Sequence, residues 1–126
     1  MSLNQVYWLY FVNAVLLIVH EIDSAYWEEW KLFRLPGGNQ GFNLIHIPLV
    51  ALILYGLVEL NHGEYYEIIM SMVLSLGGLF AFSIHTYFIR RGKEEFKTPV
   101  SQGILYSILL VSVAQLVLTL NILREG

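Results

Sequence analysis

Four histidines and a short run of carboxylates are the residues of this chain best equipped for chemistry. His20, Glu21 and Asp23 follow directly on the apolar run Val6 to Val19, which is fourteen residues long. A helix needs about 20 residues to cross a bilayer, so a first crossing must carry these three ionisable groups into the membrane. Ionisable groups are costly there, and by default they mark function. His46 stands four residues into a second apolar run, and His85 stands four residues before the end of a third. If successive runs cross in alternate directions, His20, His46 and His85 come to a similar depth on three helices. His62 falls in a connection on the opposite side and is left out of the set.

Imidazoles with one or two carboxylates suit zinc or non-haem iron, whose sites draw on His and Asp/Glu and keep an open position when catalytic. The candidate metal ligands are His20, His46, His85 and Asp23. Without a metal, Glu21 and Asp23 are the candidate catalytic acids. A carboxyl in low dielectric can hold a proton and donate it, while a neutral imidazole accepts one. That chemistry suits a lipid-soluble substrate such as an isoprenoid or a sterol-like molecule. Haem between two histidines is a third reading and needs a wider bundle than four short spans provide. The plain alternative is that buried polar groups tie helices together, at about 0.6 kcal/mol per hydrogen bond. Asn13 reads that way, and Glu28 and Glu29 read as a solvated face beyond the span.

The elements that must position this set are helices in a membrane. The chain has 126 residues, 56% of them hydrophobic and 13% charged, with a net charge of −3. Soluble domains are nearer 25% charged, and nothing here offers the basic surface that nucleic acid needs. There is no cysteine, which removes disulfides, thiolate ligands and thiol catalysis. Apolar spans are expected at about 6–26, 42–60, 68–89 and 100–120, giving an all-α integral membrane four-helix bundle in a single domain. Leu35-Pro36-Gly37-Gly38-Asn39-Gln40-Gly41 is a concentrated breaker that ends a long first helix after Phe33. Tyr26 to Phe33 is thus expected to extend that helix into the cytoplasmic interface. Trp27 and Trp30 would lie at headgroup level, and Tyr7, Trp8, Tyr10, Tyr65 and Tyr66 would form the opposite belt. Pro99 suits the first turn of the fourth helix.

Helical phase supports convergence. Ser71, Ser75, Gly78, Phe82 and His85 share one face of the third span, while Asn43, His46, Val50 and Ile53 share one of the second. On the first, Asn13, His20, Asp23 or Ser24, and Trp27 align. Gly77, Gly78 and Ala81 make a small-residue surface where another helix can come close. A transmembrane proton relay through His20, Glu21, Asp23, His46 and His85 would find only Asn13, Ser71, Ser75 and Gln115 toward the other side, a thin path.

The stretch His20-Glu21, Glu28-Glu29, Leu35-Pro36-Gly37-Gly38 and the His46 span resembles small bacterial multi-span proteins of unknown function with a histidine-and-acid motif after the first helix, the HXXEE type. Here Glu28 follows His20 by eight residues instead of three. The resemblance implies a membrane protein and no particular activity. In architecture and residue type the chain is also similar to the emopamil-binding-protein type of membrane isomerase, which implies a lipid-facing enzyme. Beside an enzyme or metal-binding protein stand two other readings: an accessory subunit of a membrane complex or homo-oligomer, and a proton-coupled transport component. Membrane lipids and a lipid-soluble small molecule are the expected partners.

Charge sets the orientation. Lys31 and Arg34 lie between spans one and two, and Arg90, Arg91, Lys93 and Lys97 lie between spans three and four, against Arg124 alone on the opposite side. Basic loops stay in the cytoplasm, so both termini are expected outside, in the periplasm if the membrane is a bacterial inner membrane. The absence of native cysteine makes this directly testable. A membrane-impermeant thiol reagent should label Ser2→Cys on intact cells and Glu94→Cys only after permeabilisation, and the reverse pattern would overturn the orientation.

Overall fold

The computed structural model describes residues 3–92 and 98–125. The chain forms α1 (Leu3–Tyr26), the short α2 (Glu29–Leu32), α3 (Gly38–Glu59), a 3₁₀ turn (Leu60–His62), α4 (Glu64–Arg90) and α5 (Pro99–Glu125). α1, α4, α5 and the stretch from α3 through the 3₁₀ turn are each long and apolar enough to cross a membrane, so the expected all-α four-helix bundle is the observed one. Lys93 and Lys97, which entered the charge count, lie outside the described residues.

The boundaries follow local chemistry. Thr98 caps α5: its Oγ1 accepts the Ser101 N–H at 3.2 Å, and Pro99 fills the first helical position, where its missing N–H costs nothing. α3 begins at Gly38, inside the predicted breaker, because Gly37 (φ 93°) and Gly38 (φ 58°) take the left-handed conformations that turn the chain into the helix. Expected as a continuous extension to Phe33, α1 instead stops at Tyr26. Glu28 adopts φ 53° and ψ 53° there, a left-handed state that costs a non-glycine residue about 1–2 kcal/mol. The four-residue α2 then starts in a new direction.

α1, α4 and α5 form the core. A third of the most apolar stretch of each is buried, against 17% for α3, which leans on α1 and α4 from outside. Within a bilayer the surrounding tails are as apolar as Leu, so close packing and hydrogen bonds must hold helices together. Gln115, on α5, supplies much of this: its Oε1 accepts from Asn13 Nδ2 on α1 at 2.8 Å, and its Nε2 donates to Ser71 Oγ on α4 at 2.9 Å. Asn13 Nδ2 also reaches Ser112 Oγ at 3.0 Å, and Ser71 Oγ meets Thr119 Oγ1 at 2.7 Å. All five residues are fully buried, so Asn13 ties helices as its position suggests. Tyr10, expected in the aromatic belt, is instead 2% exposed. It donates to the Ile53 carbonyl of α3 at 2.7 Å, while Trp8 and Tyr65 stay exposed.

Only one of the two adjacent glycines of α4 serves helix approach. A Cβ on Gly78 would run into Ser112 Oγ of α5, whereas one on Gly77 would meet nothing within 4 Å. Gly78→Val should therefore force α4 from α5 and lower stability by about 1–3 kcal/mol, while Gly77→Ala should leave it unchanged or slightly raised. Unfolding of the two variants in mixed micelles, followed by circular dichroism, checks this. Equal losses would show that the close approach does not decide stability.

Candidate functional site

Residues near the basic end of the bundle, toward Arg34 and Arg90, build the site. His20, at the end of α1, is 1% exposed, and His85, near the end of α4, is 3% exposed. Their rings meet edge to face with centroids 4.4 Å apart. The left-handed break at Glu28 turns α2 back over this pair, and Glu29 points inward. Its Oε2 lies 3.0 Å from His85 Nε2. Glu29 thus departs from the solvated face expected of it, since it is 8% exposed. Neighbouring Glu28 keeps to the surface and pairs with Lys31. Burial works to raise the Glu29 carboxyl, but its contacts with His85 and Ser24 and the nearby charge of His85 and His20 outweigh this. They hold it below its ordinary value.

One ligand atom from each of His20, Glu29 and His85 lies within 4.8 Å of the other two, and all three residues are buried. Of the expected ligands, His20 and His85 therefore come together, and Glu29 completes the trio.

His46 belongs to a second pair beside it. Its Nε2 meets Glu21 Oε2 in a short contact, and its ring stacks on Phe42 at 3.8 Å between centroids. Asp23, expected both as ligand and as acid, is committed elsewhere. Its Oδ1 accepts from Trp27 Nε1 at 3.0 Å and its Oδ2 from Ser101 Oγ at 2.6 Å. Helical phase explains the division. At about 100° per residue, Glu21 lies about 100° to one side of His20, toward α3, and Asp23 about 60° to the other, toward α5.

The His46 and His85 contacts share one logic. His46 Nδ1 lies 2.7 Å from the Phe42 carbonyl, and His85 Nδ1 lies 2.7 Å from the Ala81 carbonyl. A carbonyl oxygen only accepts, so both Nδ1 atoms carry a proton. Each Nε2 then faces a carboxylate oxygen. In metal sites a ligating histidine likewise donates its other N–H to a carbonyl or carboxylate, which fixes its tautomer.

These groups form one end of a cavity of about 340 Å³ between α1, α3 and α4. The walls beyond them are apolar, running through Leu17, Leu49 and Leu74 to Tyr10 at the far end. Phe33 packs on His85 and on Phe88, and Trp30 on Phe42, closing the basic end with aromatic rings. Phe33 and Trp30, expected at the interface alone, are brought over the site by a fold-back for which the sequence holds no signal.

Nitrogen-15 spectra of histidine-labelled protein should show Nδ1 of both His46 and His85 protonated, with Nε2 as the site whose shift responds to Glu21→Gln or Glu29→Gln. A neutral ring with a bare Nδ1 at either position would refute the assignment.

No curated protein and no solved structure matches the chain. The family described as "Family of unknown function (DUF6713)" matches residues 6–122, nearly the whole length over which the four spans and the histidine–glutamate cluster extend, and the chain belongs to that family.

Proposed function

We propose that the protein is a small membrane enzyme that binds zinc or non-haem iron through His20, Glu29 and His85 and acts on a lipid-soluble substrate. The observation that carries this reading is the buried trio, with ligand atoms from α1, α2 and α4 within 4.8 Å of one another at the polar end of an apolar cavity. Two histidines and a carboxylate leave positions open for substrate, as in catalytic zinc and ferrous sites. The Nδ1 hydrogen bond of His85 to the Ala81 carbonyl supplies the orienting contact that metal-bound imidazoles use. When bound, the ion would polarise an oxygen of the substrate.

The Glu21–His46 pair stands beside the trio as the acid–base partner. Its carboxylate and imidazole face each other inside the cavity wall, so the pair could hold one proton, give it to the substrate and take one back. The excess of Lys and Arg in the loops at this end supports a cytoplasmic location for the site.

Protein purified without chelator should retain close to one equivalent of zinc or iron by elemental mass spectrometry. His85→Ala and Glu29→Ala should reduce that at least about tenfold, in line with the loss of a ligand, while Glu28→Ala and Asp23→Asn should leave it unchanged. Metal-free wild-type protein that also fails to take up added zinc or iron would sink the reading.

A further inference from the structure

The cavity next to the trio has a shape and a charge pattern that narrow what it can hold. Tyr10 and His20 both line it and are ten residues apart on α1, which makes it about 15 Å long at 1.5 Å per residue. Its volume of about 340 Å³ lies within the roughly 300–1,000 Å³ of small-molecule sites. All its ionisable side chains apart from Tyr10 are at the basic end. Among the described residues no Lys or Arg lines it, while Glu21 and Glu29 do. A phosphate or carboxylate head would meet two acids and no fixed cation. A hydroxyl or carbonyl carries no charge to be repelled there, and a hydroxyl can donate to lone pairs that the Glu21 and Glu29 carboxylates keep beyond their histidine contacts.

The entrance is lateral. Ile45 and Leu52 of α3 and Val73 and Phe80 of α4 line the cavity and are also 49–68% exposed on the flank that faces lipid. Gly77 lies on α4 between Val73 and Phe80, and a Cβ there would enter open space. The cavity lining between α3 and α4 is therefore partly exposed, with free space beside Gly77.

We propose that this cavity takes a neutral molecule with an extended apolar body and a single hydroxyl or carbonyl end, admitted sideways from the bilayer between α3 and α4 with its oxygen toward His20, His46 and His85. The fit rests on the cavity alone; the chemistry at the oxygen rests on the metal and acid–base reading above.

A dodecanol carrying a diazirine in its chain serves as the probe, with wild-type protein reconstituted in phosphatidylcholine vesicles. After irradiation, adducts are expected to concentrate on the cavity walls of α3 and α4, Leu49 and Phe80 among them. Excess dodecanol should compete them away, and dodecyl phosphate should not. Gly77→Phe adds a ring at the cavity lining without removing any ionisable group and should cut labelling by about tenfold, the equivalent of a tenfold loss in affinity. Gly103→Phe, on α5 where a Cβ also meets nothing, should leave it unchanged. Gly77→Leu gives the same comparison should the larger side chain prevent reconstitution. Labelling spread evenly over the lipid-facing helices and insensitive to Gly77 would mean bulk lipid only and overturn the proposal, and equal competition by dodecyl phosphate would overturn the neutral class. Metal content measured on the same samples separates the two readings. Labelling that depends on Gly77 in a protein that takes up no metal keeps the ligand site and removes the metal.

Discussion

Ser112 sets the register of α1, α4 and α5. On α5, its hydroxyl accepts from Asn13 of α1 at 3.0 Å, and the same oxygen occupies the space beside Gly78 of α4 that any side chain would need. Asn13 and Gly78 are therefore fixed at one depth. His20 lies seven residues beyond Asn13, and His85 lies seven residues beyond Gly78. Both helices run the same way, and two turns of helix rise about 10.5 Å. The two imidazoles arrive at one level because the hydroxyl two turns away puts their helices in step. Apolar contacts between lipid-bathed helices slide easily, since tails and side chains are equally apolar. A buried hydrogen bond does not slide, because a shift by one turn would leave amide and hydroxyl groups unpaired in a medium without water.

The same network explains why there is a cavity. Gln115 joins α1, α4 and α5 at their shared interior and leaves α3 outside that interior. Described side-chain hydrogen bonds tie α3 to α1 at two places: Tyr10 with the Ile53 carbonyl, and Glu21 with His46. Gly56 lets the first tie form, since a Cβ there would collide with the Tyr10 hydroxyl. Between these ties the facing surfaces are apolar and do not fill the space. α3 is thus held at both ends of a slot, and the catalytic candidates Glu21 and His46 are themselves one of its fastenings.

Much of this was legible in the sequence, and the part that was not has a definite cause. The four spans, the end-on placement of His20 and His85 and the gluing role of Asn13 follow from lengths, alternation and helical phase. The inward position of Glu29 beside His85 does not. Carrying helical phase through Tyr26 to Phe33 leaves Glu29 beside Glu28 on a wet face, and the break between them carries neither Gly nor Pro. It occurs at a glutamate in the left-handed state, and only the tertiary fit of Glu29 against His85 and Phe33 against Phe88 compensates for it. Asp23 misled in the opposite sense. Its type and depth suit a ligand, but its phase points it at Ser101, and it anchors α1 to the start of α5 instead. Tyr10 likewise has the composition of a belt residue and the position of a core one. Residue type and depth placed His20, His85 and Asn13 in the interior; the burial of Glu29 and Tyr10, and which neighbour each group meets, depended on rotation about the helix axis and on one backbone turn.

That turn couples the site's closure to its composition. Trp27 Nε1 holds Asp23 Oδ1 across the break, and Leu35 N–H reaches back to the Trp30 carbonyl at 2.8 Å, with Arg34 also left-handed at φ 56°. The segment is folded on itself, and it delivers two things to the basic end of the cavity together: the Glu29 carboxylate, and the Phe33 and Trp30 rings that cover it. A helix continuing straight past Tyr26 would deliver neither, leaving His85 facing open water or headgroups. The carboxylate and the rings depend on each other physically. A buried carboxylate is tolerable only with partners for its charge, and those partners interact strongly with it only where rings exclude water. The left-handed residue at Glu28 is the local cost of meeting both conditions with one four-residue helix.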